Sequence, residues 1–185
     1  MSISQKIADR FGSKKGVLRY FYFNFLNGLG RFRAHGTSNL AGTKRLVFIC
    51  SGNICRSPFG EYVSKSLGFP AVSFGLHCRG GDKAFEKTIS VAASLGYNLE
   101  EHRSINIKEY QPEEGDLLIA MEPAHVKELK LQYPSTPILL IGMLTDTKIV
   151  YLHDPYSTNQ VFFKDCLQKI EQATKAAIKG IRSTS

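Results

Sequence analysis

A cysteine and an arginine bound the seven-residue segment Cys50-Ser51-Gly52-Asn53-Ile54-Cys55-Arg56, and Ser57-Pro58 follow at once. The apolar run Leu46-Val47-Phe48-Ile49 before it reads as a buried strand. Pro58 after Ser57 predicts the first turn of a helix with Ser57 as its cap. A loop between strand and helix can aim consecutive backbone N–H groups inward, with the helix N-terminus behind them, which makes an anion site. Arg56 adds a planar fork that matches phosphate oxygens two at a time. Cys50 would lie beneath the anion, and a thiol set in positive potential favours its nucleophilic thiolate form. A thiolate under a bound tetrahedral oxyanion is equipped for nucleophilic phosphoryl transfer. A lone cysteine is more often a small packing residue. Here the preceding strand, the internal Gly-Asn and the Ser-Pro helix start are separate requirements of the loop, and all three are met.

The elements that must carry this loop alternate along the chain from residue 45 onward. Strands are expected at 45–50, 71–74, 116–121 and 137–142, and helices at 57–67, 83–95, 123–132 and 159–181. Continuous apolar strands alternating with helices predict an α/β fold of three layers, a four-stranded parallel sheet flanked by helices. Ligands bind such sheets at the carboxyl ends of the strands, where the Cys50 loop falls.

At 43% hydrophobic and 22% charged residues, the 185-residue chain has the composition of a soluble globular protein. It has no apolar run near the ~20 residues of a membrane span and no secretory signal. The four cysteines show no metal-ligand pairing, and a reactive thiol needs a reducing compartment, so a cytoplasmic location is expected. The net charge of +8 is uneven: residues 1–45 hold nine Lys and Arg against the single Asp9, and the remainder is neutral. Residues 1–44 therefore read as a basic, aromatic extension before a domain at 45–185. In it Ile3, Ile7 and Phe11 share one face of a short helix ending at Gly12; Val17–Leu29 forms a second, aromatic-rich segment; and 34–44 looks like a linker. Basic residues interleaved with aromatics suit a membrane surface, peripheral and anionic, or an acidic partner. The alternative is that the aromatics pack on the following domain or on a second copy of it. Nothing beyond charge suggests nucleic acid.

Residues 45–182 resemble the low-molecular-weight protein tyrosine phosphatases, a flavodoxin-like fold. The family signature Cys-x-Gly-Asn-x-Cys-Arg-Ser-Pro is met at every fixed position by Cys50 to Pro58, and the distant Asp-Pro-Tyr signature by Asp154-Pro155-Tyr156. Further echoes are Ser73-Phe74-Gly75, His102-Arg103 and Asp116 to Met121. The resemblance implies that Cys50 attacks phosphorus, that the N–H groups of Ser51, Gly52, Asn53, Ile54, Cys55 and Arg56 hold the phosphate with the Arg56 guanidinium, and that Asp154 serves as acid and then base. It implies no metal and no other cofactor. Asn53 would adopt a left-handed conformation, its side chain pinned by Ser57, Ser73 and His102, and Ser57 would stabilise the Cys50 thiolate. Cys55 would be either a reversible disulfide partner for Cys50 or a packing residue.

The resemblance implies a phosphotyrosine-containing protein as substrate, in a slot formed by Ser51 and Tyr156. Departures fall around that slot. Ser157 follows Tyr156 where relatives often carry a second aromatic, the 76–85 loop lacks the usual prolines, and Glu122 stands where Asp is usual. Protein-arginine phosphatase and arsenate reductase are alternatives on the same fold. Ile54, where arginine phosphatases place Thr, favours an aromatic ester, and Cys78 and Cys166 lie too far apart in sequence to resemble a reductase relay. A phospho-recognition module without turnover is the alternative of another class.

Overall fold

The computed structural model describes residues 2–36 and 40–184. Four strands, β1 (Arg45–Cys50), β2 (Ala71–Gly75), β3 (Asp116–Ala120) and β4 (Ile138–Leu140), form one parallel sheet in the order β2-β1-β3-β4. Strand β1 is therefore central, and successive connections leave it towards opposite edges, which opens a crevice at its carboxyl end. The two apolar faces follow the two-residue period of the strand. Leu46, Phe48 and Cys50 join the core formed with α3 (Arg56–Ser66), α4 (Glu86–Ser94) and the long C-terminal helix α6 (Gln160–Thr184). Val47 and Ile49 join the other core, with Val126 and Leu129 of α5 (Pro123–Gln132).

The strands expected at 116–121 and 137–142 stop earlier, at Ala120 and Leu140, because Ile141–Leu144 coils into a 3-10 turn. The helix expected from residue 83 starts at Glu86. Helix α3 begins one residue before Ser57, with Cys55 at its cap position and no capping side chain there. Ser57 thus lies inside the first turn, and its hydroxyl is committed elsewhere.

The amino-terminal residues form a helical hairpin, α1 (Ile3–Phe11) and α2 (Lys14–Gly28). Ser2 and Ser13 cap the two helices by accepting the N–H groups of Gln5 and Gly16. The hairpin lies on the rest of the chain: α1 contacts α6, Phe23 and Leu26 pack on the α5-side core, and Tyr20 on the other. Part of the linker expected at 34–44, residues 37–39, lies outside the described residues; Leu40 is buried in the core.

Candidate active site

The Cys50 loop is built on its own side chains. Asn53 has φ 53°, a left-handed conformation that Asn tolerates better than most residues, and it is wholly buried. Its Nδ2 donates to Ser57 Oγ at 2.9 Å and Ser73 Oγ at 2.8 Å, and its Oδ1 accepts the Ile105 N–H at 2.8 Å. The amide's bonding capacity is thereby spent holding the loop open. Contrary to what the resemblance implies, the hydrogen bond from His102 does not go to this side chain. Its Nε2 instead donates to the Asn53 backbone carbonyl at 2.7 Å, because the ring lies buried beneath the loop. Ser73 passes the chain on to Glu61 at 2.5 Å. Gly75 lies directly below: a Cβ there would come within 3.0 Å of both Asn53 Cβ and the Gly52 carbonyl carbon, so β2 meets the loop as closely as a glycine permits.

This framework aims donors at sulfur. Cys50 Sγ accepts the Asn53 N–H at 3.3 Å and lies 3.0 Å from Ser57 Oγ. Since Ser57 Oγ accepts from Asn53, its own proton is free to point at the thiol or at the Phe74 carbonyl, 3.4 Å away. Burial pushes the neighbouring Cys55 thiol up to about 12, so Cys55 is a neutral packing group in this state.

Arg56 is 1% exposed and is gripped from several sides. One terminal nitrogen donates to the Leu152 carbonyl at 2.9 Å and lies 3.5 Å from Glu122; the other donates to Asp154 Oδ2 at 2.6 Å. Burial weighs against the charge, but Asp154, Cys50 and Glu122 outweigh it and hold the guanidinium above its ordinary value. Arg56 Nε has no hydrogen-bond partner among the described residues. Burial would likewise raise the Glu122 carboxyl, but the bond from His125 at 3.2 Å and the Arg56 charge bring it down to about 2. His125 Nε2 is also 3.2 Å from Ser51 Oγ, so Glu122 and His125 tie the loop's first residue to its arginine. Sequence reasoning missed this pair; the only signal was Glu122 itself, noted as a departure.

Cys50, Ser51, Gly52, Ile54, Cys55, Arg56, Asp154 and Tyr156 line one opening of about 240 Å³. The residues expected to attack, bind and protonate thus meet at the carboxyl end of β1, with Asn53, Ser57, Ser73 and His102 behind them. Asp154 also accepts the Tyr156 N–H through Oδ1, at 3.1 Å, which fixes the turn. Tyr156 is the aromatic residue of the opening, and Phe85 backs it at a ring-centroid distance of 4.7 Å. No group of three or more metal-ligating side chains occurs among the described residues.

Residues 45–184 match the low molecular weight phosphotyrosine protein phosphatases, and the chain belongs to that family. It is 29% identical to the low molecular weight protein-tyrosine-phosphatase Etp of Escherichia coli K12 over 140 residues, 74% of this chain and 93% of Etp. It is similar in structure to the tyrosine phosphatase Wzb of Escherichia coli K30, at 31% identity and a TM-score of 0.64, over 74% of this chain and 98% of Wzb. The arginine phosphatase YwlE of Geobacillus stearothermophilus shares the fold, with a TM-score of 0.69 at 18% identity, over 76% of this chain and 94% of YwlE. The near-complete coverage of Etp and Wzb leaves neither with a counterpart as long as residues 1–44.

Proposed function

We propose that the chain is a protein tyrosine phosphatase that hydrolyses phosphotyrosine through a cysteinyl-phosphate intermediate. The observation that carries this reading is the convergence of Cys50, Arg56 and Asp154 on one opening. The phosphate displaces Asp154 from part of Arg56 and takes the guanidinium, including its unpartnered Nε, together with the N–H groups of residues 51–56. Displaced from Arg56, Asp154 takes a proton from solvent; the Cys50 thiolate attacks phosphorus as the bond to the tyrosyl oxygen breaks, and Asp154 gives that proton to the departing oxygen. As a carboxylate, Asp154 then takes a proton from water, which attacks the phosphocysteine and frees phosphate and thiolate. Ser57, 3.0 Å from Cys50 Sγ, steadies the thiolate in both steps. Arg56 and the loop supply the positive field, so neither step calls on a metal.

Ile54 and Tyr156 in the lining favour an aromatic ester over phosphoarginine. Cys166 is fully buried, its thiol pushed up by that burial, which speaks against a reductase relay. Aryl phosphate, phosphoarginine and arsenate, each offered to the wild type and to Cys50→Ser, separate these readings. Chelator-resistant hydrolysis of the aryl ester that Cys50→Ser abolishes is the expected result. Turnover stopped by a chelator, or no turnover of any of the three, contradicts it.

The extension favours a second reading, contact with an anionic bilayer. No described helix is long and apolar enough to cross a membrane. Helix α2 and its cap residue Leu29 nevertheless expose Leu18, Phe21, Tyr22, Phe25 and Leu29 at helical spacing on one stripe, while Gly16, Tyr20, Phe23 and Leu26 turn inward. Lys14, Lys15, Arg31 and Arg33 flank that stripe in sequence. A second copy seated there would set one strongly basic segment against another, whereas anionic lipid complements it. Co-sedimentation with anionic but not neutral vesicles, reduced in Phe21→Ser/Phe25→Ser, is expected; equal recovery of both proteins contradicts it.

A further inference from the structure

The hairpin of α1 and α2 lies outside the region shared with the family, yet its inward side meets the segment that carries Asp154. Tyr151 and His153 are the contact. Arg19 donates to Tyr151 Oη at 3.2 Å, and its guanidinium lies 5.9 Å from the centre of that ring. Phe23 stacks on the same ring at 5.4 Å. Tyr151 Oη is 2.7 Å from His153 Nδ1, and His153 Nε2 is 3.2 Å from Ser13 Oγ.

Tyr151 Oη accepts from Arg19, which has no other role open to it. His153 then bonds Tyr151 Oη through Nδ1 and Ser13 Oγ through Nε2, one ring nitrogen as donor and the other as acceptor. Burial, with the Arg56 charge, lowers the His153 pKa and favours this neutral ring. Both ring nitrogens are used, so the orientation of His153 is fixed from the hairpin side. A crevice of about 140 Å³ runs between hairpin and domain beside Tyr20, Tyr151 and His153.

His153 immediately precedes Asp154, and the domain holds the backbone of this segment at Leu152. The Leu152 carbonyl accepts from Arg56 and the Leu152 N–H donates to Met121. The far end of the turn is tied to the hairpin again: Asn159 Nδ2 donates to Asp9 Oδ1 at 2.8 Å. Between these ties Gly12, at φ +76°, passes so close that a Cβ would come within 2.6 Å of His153 Cδ2 and 3.0 Å of Thr158 Cγ2.

We propose that the hairpin is a positioning element of the phosphatase site, in which Ser13 and Arg19, acting through His153 and Tyr151, set where Asp154 stands over the leaving oxygen. The proposal rests on the reading of Asp154 as the acid. Ser13 and Arg19 touch neither substrate nor Cys50; they act through the segment 151–154. Their removal leaves the phosphate cradle of Arg56 and the loop intact and costs proton delivery alone.

The experiment uses Ser13→Ala/Arg19→Met in the full chain, with kcat/KM measured for para-nitrophenyl phosphate and for phenyl phosphate. The phenol is the poorer leaving group and depends more on a well-placed acid. The expected result is a loss of about tenfold with phenyl phosphate, against less than about twofold with the nitrophenyl ester, and inhibition by inorganic phosphate unchanged. In an Asp154→Asn background the same double substitution has no further effect, since both act through one carboxyl. Arg19→Lys, which keeps a donor for Tyr151, restores most of the loss. An equal loss on both esters, no loss on either, or a full additional loss in the Asp154→Asn background overturns the proposal. If Asp154→Asn itself leaves the phenyl ester rate unchanged, the assignment of the acid falls instead, and the two failures are distinct.

Discussion

Asp154 Oδ2 lies 2.6 Å from the Arg56 guanidinium, so the group that binds phosphate and the group read as the proton donor are paired with each other before substrate arrives. Arg56 is buried and held by Leu152 and Glu122 as well, while the Asp154 side chain is 43% exposed. Asp154 is therefore the partner that yields. The pairing keeps the buried cation compensated in the empty site and places the carboxyl at the rim where the leaving oxygen departs.

Replacing Asp154 by Asn should pull the two functions apart. Removal of a competing negative charge lets inorganic phosphate inhibit more tightly, by roughly threefold or more, as expected when a like charge is taken from a partly buried anion site. Hydrolysis of esters with poor leaving groups should fall by about a hundredfold, the usual scale of general acid catalysis. Inhibition constants and kcat/KM on the same preparation check both, and weaker phosphate binding contradicts the pairing as described.

Asn53 offers a test of the loop's framework. In Asn53→Ala the hydroxyls of Ser57 and Ser73 and the Ile105 N–H each lose a partner, and alanine must hold a left-handed conformation at φ 53°. A destabilisation of about 2–4 kcal/mol follows, along with a rise in KM for aryl phosphate. Asn53→Gly relieves the backbone strain but not the lost bonds, so it should recover part of the stability and little of the activity. Denaturant melts and steady-state kinetics on the two variants check this.

Stability should fall on the acid side of neutrality. Burial lowers His35, His102 and His153 below the ordinary 6.5, so near and below that pH the unfolded chain binds more protons than the folded one. Their contribution is complete above pH 6.5 and is lost as pH descends through the window beneath it. Glu122, brought down to about 2 by His125 and Arg56, adds a further loss only at lower pH, where the unfolded carboxyl begins to protonate near its ordinary 4.5. Denaturant melts on either side of pH 6.5 measure the effect. His102→Gln, which keeps a donor for the Asn53 carbonyl but cannot titrate, should flatten the slope.

Much of the site was legible because its chemistry is local in sequence. Cys50 and Arg56 belong to one loop flanked by an apolar strand and a helix start, and Asp154-Pro155-Tyr156 is a compact second pattern. The core strands and α6 were readable from apolar periodicity alone. Long-range side-chain partners were not. Nothing near Ser13 or Arg19 announces Tyr151 and His153, more than a hundred residues away. His102 could be placed near the loop by resemblance, but its bond to a carbonyl rather than an amide depends on burial that a single sequence does not reveal. Ser57 looked like a helix cap because capping and thiol support draw on the same residue type; the structure gives the hydroxyl to Asn53 and Cys50. Phe85 behind Tyr156 is likewise a tertiary contact between two separate loops.

The central claim is that Cys50 carries the phosphoryl group between the two steps. Its most direct test is to quench the full chain in acid during turnover of an aryl phosphate and locate bound phosphate by peptide mass spectrometry. The account predicts a phosphorylated Cys50 in the wild type, and in Cys50→Ser neither hydrolysis nor that adduct. Continued hydrolysis by Cys50→Ser, or a phosphoryl group found on another residue of a working enzyme, would contradict it.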